Sequence, residues 1–167
     1  MPMETELALF DDSGLLGLVD AASYSTFVGE DWTYEQLVSH FANQMQRNAL
    51  LVWDCADGGN NYRVRVRDRI TNEGGYREVT GQIVVTDGKL HLASFTALTM
   101  AAQFPEYGIP DKSEQDLVVS VAPGTYKVRI VQKYDPEAAE SDESGEVLLE
   151  LELGEAPNWP AVAWHSV

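Results

Sequence analysis

The chain has 167 residues with 44% hydrophobic and 10% aromatic content, a single cysteine and a formal net charge of −16. That composition is too apolar for a disordered acidic tail, and the length suits one domain with its own core. The acidity disfavours nucleic acid and anionic membranes as partners and favours a basic protein surface.

Charge is unevenly spread along the chain. Residues 1–46 hold eight acids and no Lys or Arg, 47–133 hold ten acids and all eleven bases, and 134–167 hold nine acids and no base. The sums are −8, +1 and −9. The first residues, Met1-Pro2-Met3-Glu4, lack the basic and apolar regions of a signal peptide, and no apolar run reaches membrane-span length. A cytoplasmic location is therefore expected.

Thr5–Phe10 alternates as a strand and runs into an Asp11-Asp12-Ser13-Gly14 turn. Leu15–Val19 and Ser23–Val28 are further strand candidates. Asp31-Trp32-Thr33 then opens the one long helix, with Thr33 and Gln36 spaced as a capping box. Tyr34, Leu37, Val38, Phe41 and Met45 form its apolar stripe.

Ala49–Asp54 reads as a buried strand ending at Asp57-Gly58-Gly59-Asn60. In Tyr62–Arg69, tyrosine and valines alternate with Arg63, Arg65, Arg67 and Arg69. Val79–Val85 and Lys89–Ser94 flank Asp87-Gly88, a hairpin signal because a type I′ turn needs positive φ. Leu98–Phe104 fits either a strand or a short helix, and 105–115 is a loop. Leu117–Val121 and Thr125–Lys133 predict a second hairpin across Pro123-Gly124, and Glu146–Leu153 is the last strand. The expected fold is mainly β: an antiparallel β-sandwich of about eight or nine strands with one amphipathic helix, forming a single domain over 1–167.

No catalytic, cofactor or metal motif emerges. His40, His91 and His165 are scattered outside any metal-ligand spacing, no nucleophile or phosphate-loop motif occurs, and Cys55 follows an apolar run as a small buried residue would. The arginine stripe admits two readings, an anion site or charge pairing with acidic strands. Pairing fits better, because Lys127, Arg129 and Lys133 would face Glu146, Glu150 and Glu152 across a hairpin.

Two acidic groups have no evident partner: Asp135, Glu137, Glu140, Asp142 and Glu143 in a loop, and Glu30, Asp31 and Glu35 beside Trp32. The five loop acids with Glu30, Asp31 and Trp32 are the candidate partner-binding residues, the acids for steering and the tryptophan as an apolar anchor. The tail Pro157–Trp164 is expected to dock on its own domain.

Several stretches together resemble the competence protein J family. They are Leu7, Leu9 and Tyr24–Phe27, the Asp31-Trp32-Thr33 helix start, Gln46-Arg47-Asn48, the segment Val79–Leu92 around Asp87-Gly88, and Leu117–Val131 with Ala122-Pro123-Gly124-Thr125-Tyr126. The described member of that family inhibits a DNA-entry nuclease, and the size and acidity also resemble bacterial immunity proteins. The resemblance implies a non-catalytic inhibitor of a toxin or nuclease with a basic active-site cleft. The alternative is a small-ligand or structural β-sandwich module, acidic only for solubility.

Overall fold

The computed structural model describes residues 4–137 and 145–165. Its strands are β1 (Glu4–Asp11), β2 (Leu15–Val19), β3 (Leu50–Asp54), β4 (Asn60–Arg67), β5 (Arg77–Val85), β6 (Lys89–Ser94), β7 (Val118–Ser120), β8 (Gly124–Gln132) and β9 (Gly145–Leu153). They form a five-stranded sheet in the order β1-β4-β9-β8-β5 and a four-stranded sheet in the order β3-β2-β6-β7. The protein is a mainly β sandwich, as its alternating segments predict.

One side of each strand builds the core. Val64 and Val66 of β4, Val128 and Ile130 of β8, and Val147, Leu149 and Leu151 of β9 are buried, together with Leu16, Leu18, Leu51, Trp53, Leu90 and Leu92 of the second sheet. Helix α1 (Tyr34–Gln46) packs along β3, and α2 (Phe95–Gln103) along β2 and β6. Gly17 of β2 lets α2 sit close, since a Cβ there would lie 3.0 Å from Leu98 Cδ1. The capping box at Thr33 and Gln36 is formed, and α1 buries Leu37, Phe41 and Met45. Each such side chain contributes roughly 1.5–3 kcal/mol by leaving water.

Three expectations are corrected, and one open alternative is settled. Ser23–Val28 is not a strand. Ser23 N and Tyr24 N turn back onto Asp20 O, and Val28 N and Gly29 N donate to Ala102 O. The segment is held by a helix end rather than a neighbouring strand.

Neither hairpin forms. Gly88 does take positive φ, at 86°, but β5 and β6 belong to different sheets. Thr86 donates through N and Oγ1 to the Asp20 carboxylate at 3.1 and 2.6 Å, which holds the chain where it crosses between layers. At Pro123-Gly124 the chain crosses back, since β7 pairs with β6 while β8 pairs with β5 and β9. Turn chemistry reverses the chain equally well within one sheet or between two.

Leu98–Phe104 resolves into a second helix, α2, because the Ser94 side chain caps Ala97 N. Finally, the sheets are not wholly antiparallel, because β4 and β9 run parallel.

Candidate partner-binding site

The charged residues sort by face before they form any site. On the outer face of the five-stranded sheet, β4 and β9 align Arg63 with Glu146 and Arg67 with Glu150, while β8 aligns Arg129 with Glu150 and Lys127 with Glu152. The β4–β5 loop folds over this face and adds Thr71 and Glu73. Its Gly75 lies so close to β8 that a Cβ would come 2.8 Å from Gln132 O.

Glu150 is fully buried and accepts from Arg129 Nη1 at 2.6 Å, Arg67 Nη1 at 3.2 Å and Thr71 N at 3.1 Å. Burial pushes its carboxyl up, but the Thr71 donors and both guanidiniums outweigh that and hold it below its usual range. Glu73 bridges Arg65, Arg67 and Lys133. Those three cations hold its carboxyl at about 2. The arginine stripe is therefore paired, as the strand faces predict.

The pairing locates the net charge. Arg63, Arg65, Arg67, Arg69, Lys127, Arg129 and Lys133 pair with Glu4, Asp68, Glu73, Glu78, Glu146, Glu150 and Glu152. That is seven of the eleven bases against seven of the 27 acids, so twenty acids and four bases carry the whole −16.

One end of the sandwich holds Asp54, Asp57, Asp135 and Glu137 of this remainder. There β3 and β8 end and β2, β4, β5 and β9 begin. Arg77 ties it together, donating to Asp54 O at 2.9 Å and Gln132 Oε1 at 2.7 Å and lying 4.4 Å from the Trp164 ring. Asp57 accepts hydrogen bonds from both Tyr62 and Tyr134, fixing the chain as it leaves β8. Asp135 and Glu137 follow directly, both exposed, with Glu137 N donating to Asp135 Oδ1. Glu140, Asp142 and Glu143 lie outside the described residues.

The second predicted patch reaches the same end through α1. Tyr34, the first residue of α1, contacts His165 Nε2 at 2.8 Å, and His165 Nδ1 contacts Asp54 Oδ2 at 3.0 Å. Glu30 and Asp31 are exposed just before this helix start. Trp32 is half-buried against the core, and its Nε1 is buried without a hydrogen-bond partner. The exposed aromatics of this stretch are Phe27 and Tyr34.

The tail docks on its own domain, as expected. Ala163 bridges β3 in parallel beside Trp53, and Trp159 and Val162 are buried. Cys55 is fully buried, and burial pushes its thiol well up. His40 packs against Tyr24 with the rings tilted by 59° and their centroids 5.7 Å apart. His165 is less isolated than its sequence position implies, because the docked tail carries it onto Asp54 and Tyr34.

A recess lined by Phe10, Asp12, Met100, Asp111 and Glu114 among others has no counterpart in any sequence motif. Its residues come from three distant stretches, and the only local signal is the Phe10-Asp11-Asp12 end of the first strand.

Solved structures with this fold include two that match over nearly their whole length. The chain described as crocagin biosynthetic gene J superposes with a TM-score of 0.62 at 16% identity, covering 92% of this chain and 98% of that one. ComJ from Bacillus subtilis, described as an inhibitor of the DNA degrading activity of NucA, gives 0.56 at 14% identity, covering 92% and 99%. The fold is shared with ComJ. The sequence resemblance is thus met at the level of architecture. No family model matches the chain, and no curated protein matches it in sequence. No helix among the described residues is long and apolar enough to cross a membrane.

Proposed function

We propose that this protein is a non-catalytic inhibitor that binds a nuclease, or another toxin acting on nucleic acid, and occludes its basic active-site cleft. In this role it acts in the cytoplasm as an immunity protein. The observation that carries the proposal is the sorting of charge. With seven bases neutralised by seven acids, the surplus acids form an uncompensated field. An enzyme that grips phosphates has a cationic cleft, so such a field attracts it and repels its substrate. The ComJ fold adds support, because ComJ is itself described as an inhibitor of a DNA-degrading activity.

The contact surface in this proposal is Asp135, Glu137, Glu140, Asp142 and Glu143, with Glu30, Asp31 and Trp32. The test uses the DNA endonucleases of the source organism, each assayed for plasmid degradation with and without the protein. Dose-dependent inhibition of one of them is expected. Its association rate should fall with salt, and the combined Glu30→Gln, Asp31→Asn, Asp135→Asn and Glu137→Gln variant should bind several-fold more slowly with a shallower salt dependence. Absence of inhibition of every endonuclease would refute the nuclease assignment. An unchanged salt slope would refute the role of these acids.

A further inference from the structure

The recess beside the start of α2 has the makings of a receptor for a cationic side chain. Its lip is apolar. Phe10, at the end of β1, is 65% exposed, the most exposed large hydrophobic residue of the described chain, and Met100 and Ala97 of α2 line the recess with it. Its acidic side is built from Asp12, Asp111 and Glu114, the last two on the segment around the short 3-10 helix Lys112–Glu114.

These carboxylates differ in how they are satisfied. Asp11, beneath the recess, accepts from Ser13 N and Oγ, Gly14 N and Phe95 N, so its role is structural. Asp111 accepts from Ser113 N and Oγ. Glu114 is 92% buried, at 8% exposure, and its donor is Ser94, through N at 3.2 Å. Burial, and then the nearby Asp111 and Asp11 charges, raise its carboxyl above the usual value despite Ser94.

A buried carboxylate without a counter-charge is costly unless something supplies one. Among the described residues none of Asp11, Asp12, Asp111 and Glu114 has a cationic group within 4.0 Å. Lys112 is exposed on the same short helix, and α2 contributes no charge at all. Among the described residues no group of three or more acids, histidines or cysteines is arranged to hold a metal ion. That leaves an organic cation with an apolar stem as the complementary occupant.

We infer that this recess receives an arginine or lysine side chain of the protein partner, its methylene stem on Phe10 and Met100 and its charged head at Glu114, flanked by Asp12 and Asp111. The occupant's stem covers apolar surface and its head supplies the missing counter-charge. Its use by a partner rests on the inhibitor proposal, but its capacity to bind a cation does not.

The test titrates N-acetylarginine amide into the 15N-labelled protein, with N-acetyllysine amide to separate the two head groups and N-acetylcitrulline amide as the neutral isostere. Saturable amide shifts at Ala97, Met100 and Ser113 are expected with the cationic probes and not with citrulline. Glu114→Gln, which keeps an acceptor for Ser94 N, should weaken binding about tenfold or more, and Phe10→Ala, at an exposed site, should weaken it less. Absent shifts, equal shifts with citrulline, or unchanged affinity in Glu114→Gln would overturn the receptor. Nuclease inhibition that survives Glu114→Gln intact would overturn its use by the partner while leaving the inhibitor proposal standing. Cation binding by a protein that inhibits no nuclease would do the reverse.

Discussion

Replacing Glu150 by Gln tests whether the arginines are locked into the sheet. Glu150 has no exposed surface, and it joins Arg67 and Arg129, which are 8% and 7% exposed. Breaking a buried ion pair by removing one partner costs about 3–5 kcal/mol. Here each guanidinium keeps another carboxylate, Glu73 and Glu4 for Arg67 and Glu78 for Arg129. The lower end, about 3 kcal/mol, is therefore expected.

For a chain of this length that corresponds to a fall in Tm of about 6–12 °C. Urea and thermal unfolding followed by circular dichroism read both quantities. The control is Glu152→Gln, whose partner Lys127 lies 3.8 Å away with both side chains substantially exposed, and which should cost under about 1 kcal/mol. A loss for Glu150→Gln as small as the control's would refute the claim that these pairs are held away from solvent. It would also remove the reason to place the net charge elsewhere.

Two carboxylates should titrate with opposite signs. Glu73, held at about 2 from its usual 4.5, contributes stability above about pH 4.5 that is lost as pH falls towards 2. Wild type and Glu73→Gln should therefore converge in Tm at the acid end. Glu114 is shifted upward, so its ionisation erodes stability as pH rises from its unfolded value through its folded one. Glu114→Gln should match or exceed wild-type Tm at neutral pH and lose that advantage in acid. Tail docking predicts a cost of about 3–5 kcal/mol for Trp159→Ala. Gly81→Ala should also destabilise, since a Cβ there would lie 2.6 Å from Trp159 Cε2. The double variant should cost less than the sum of the two, read by a double-mutant cycle in urea; strict additivity would show that the two residues do not pack together.

The elements were readable in the sequence because each is a local pattern. The Thr33–Gln36 cap and the Leu37, Phe41 and Met45 stripe define α1 without tertiary information. The alternation of Tyr62, Val64 and Val66 with arginines defines β4 and its two faces. Connectivity between sheets was not readable. Asp87-Gly88 marks a reversal, but β5 and β6 go to different sheets, and the contact that holds the crossing, Thr86 to Asp20, spans 66 residues. Tyr24–Val28 alternates like a strand because one side packs inward, yet its backbone partner is a helix end. The Glu114 recess was hidden for the same reason, since its parts meet only when β1, α2 and the 105–115 segment are assembled.

The parallel pairing of β4 with β9, the one feature of the sheet that departs from a simple antiparallel sandwich, has the largest consequence for charge. In this register Arg63 meets Glu146 and Arg67 meets Glu150, while on the other flank of β9 the antiparallel β8 brings Arg129 to Glu150. A single acidic strand face thereby neutralises two basic ones. With β4 at the far side of the sheet from its sequence neighbour β5, the β4–β5 loop crosses the outer face and seals the cluster with Glu73 and Thr71. A stripe of alternating arginines on an open sheet would make a phosphate-binding surface. Interleaved with β9, Arg67 and Arg129 become buried supports of the sheet, while Arg63 and Arg65 stay nearer the surface but are paired with Glu146 and Glu73. The topology thus pairs the arginine stripe with acids of the same sheet and its β4–β5 loop, so that the surplus charge of the surface is carried by acids elsewhere in the chain.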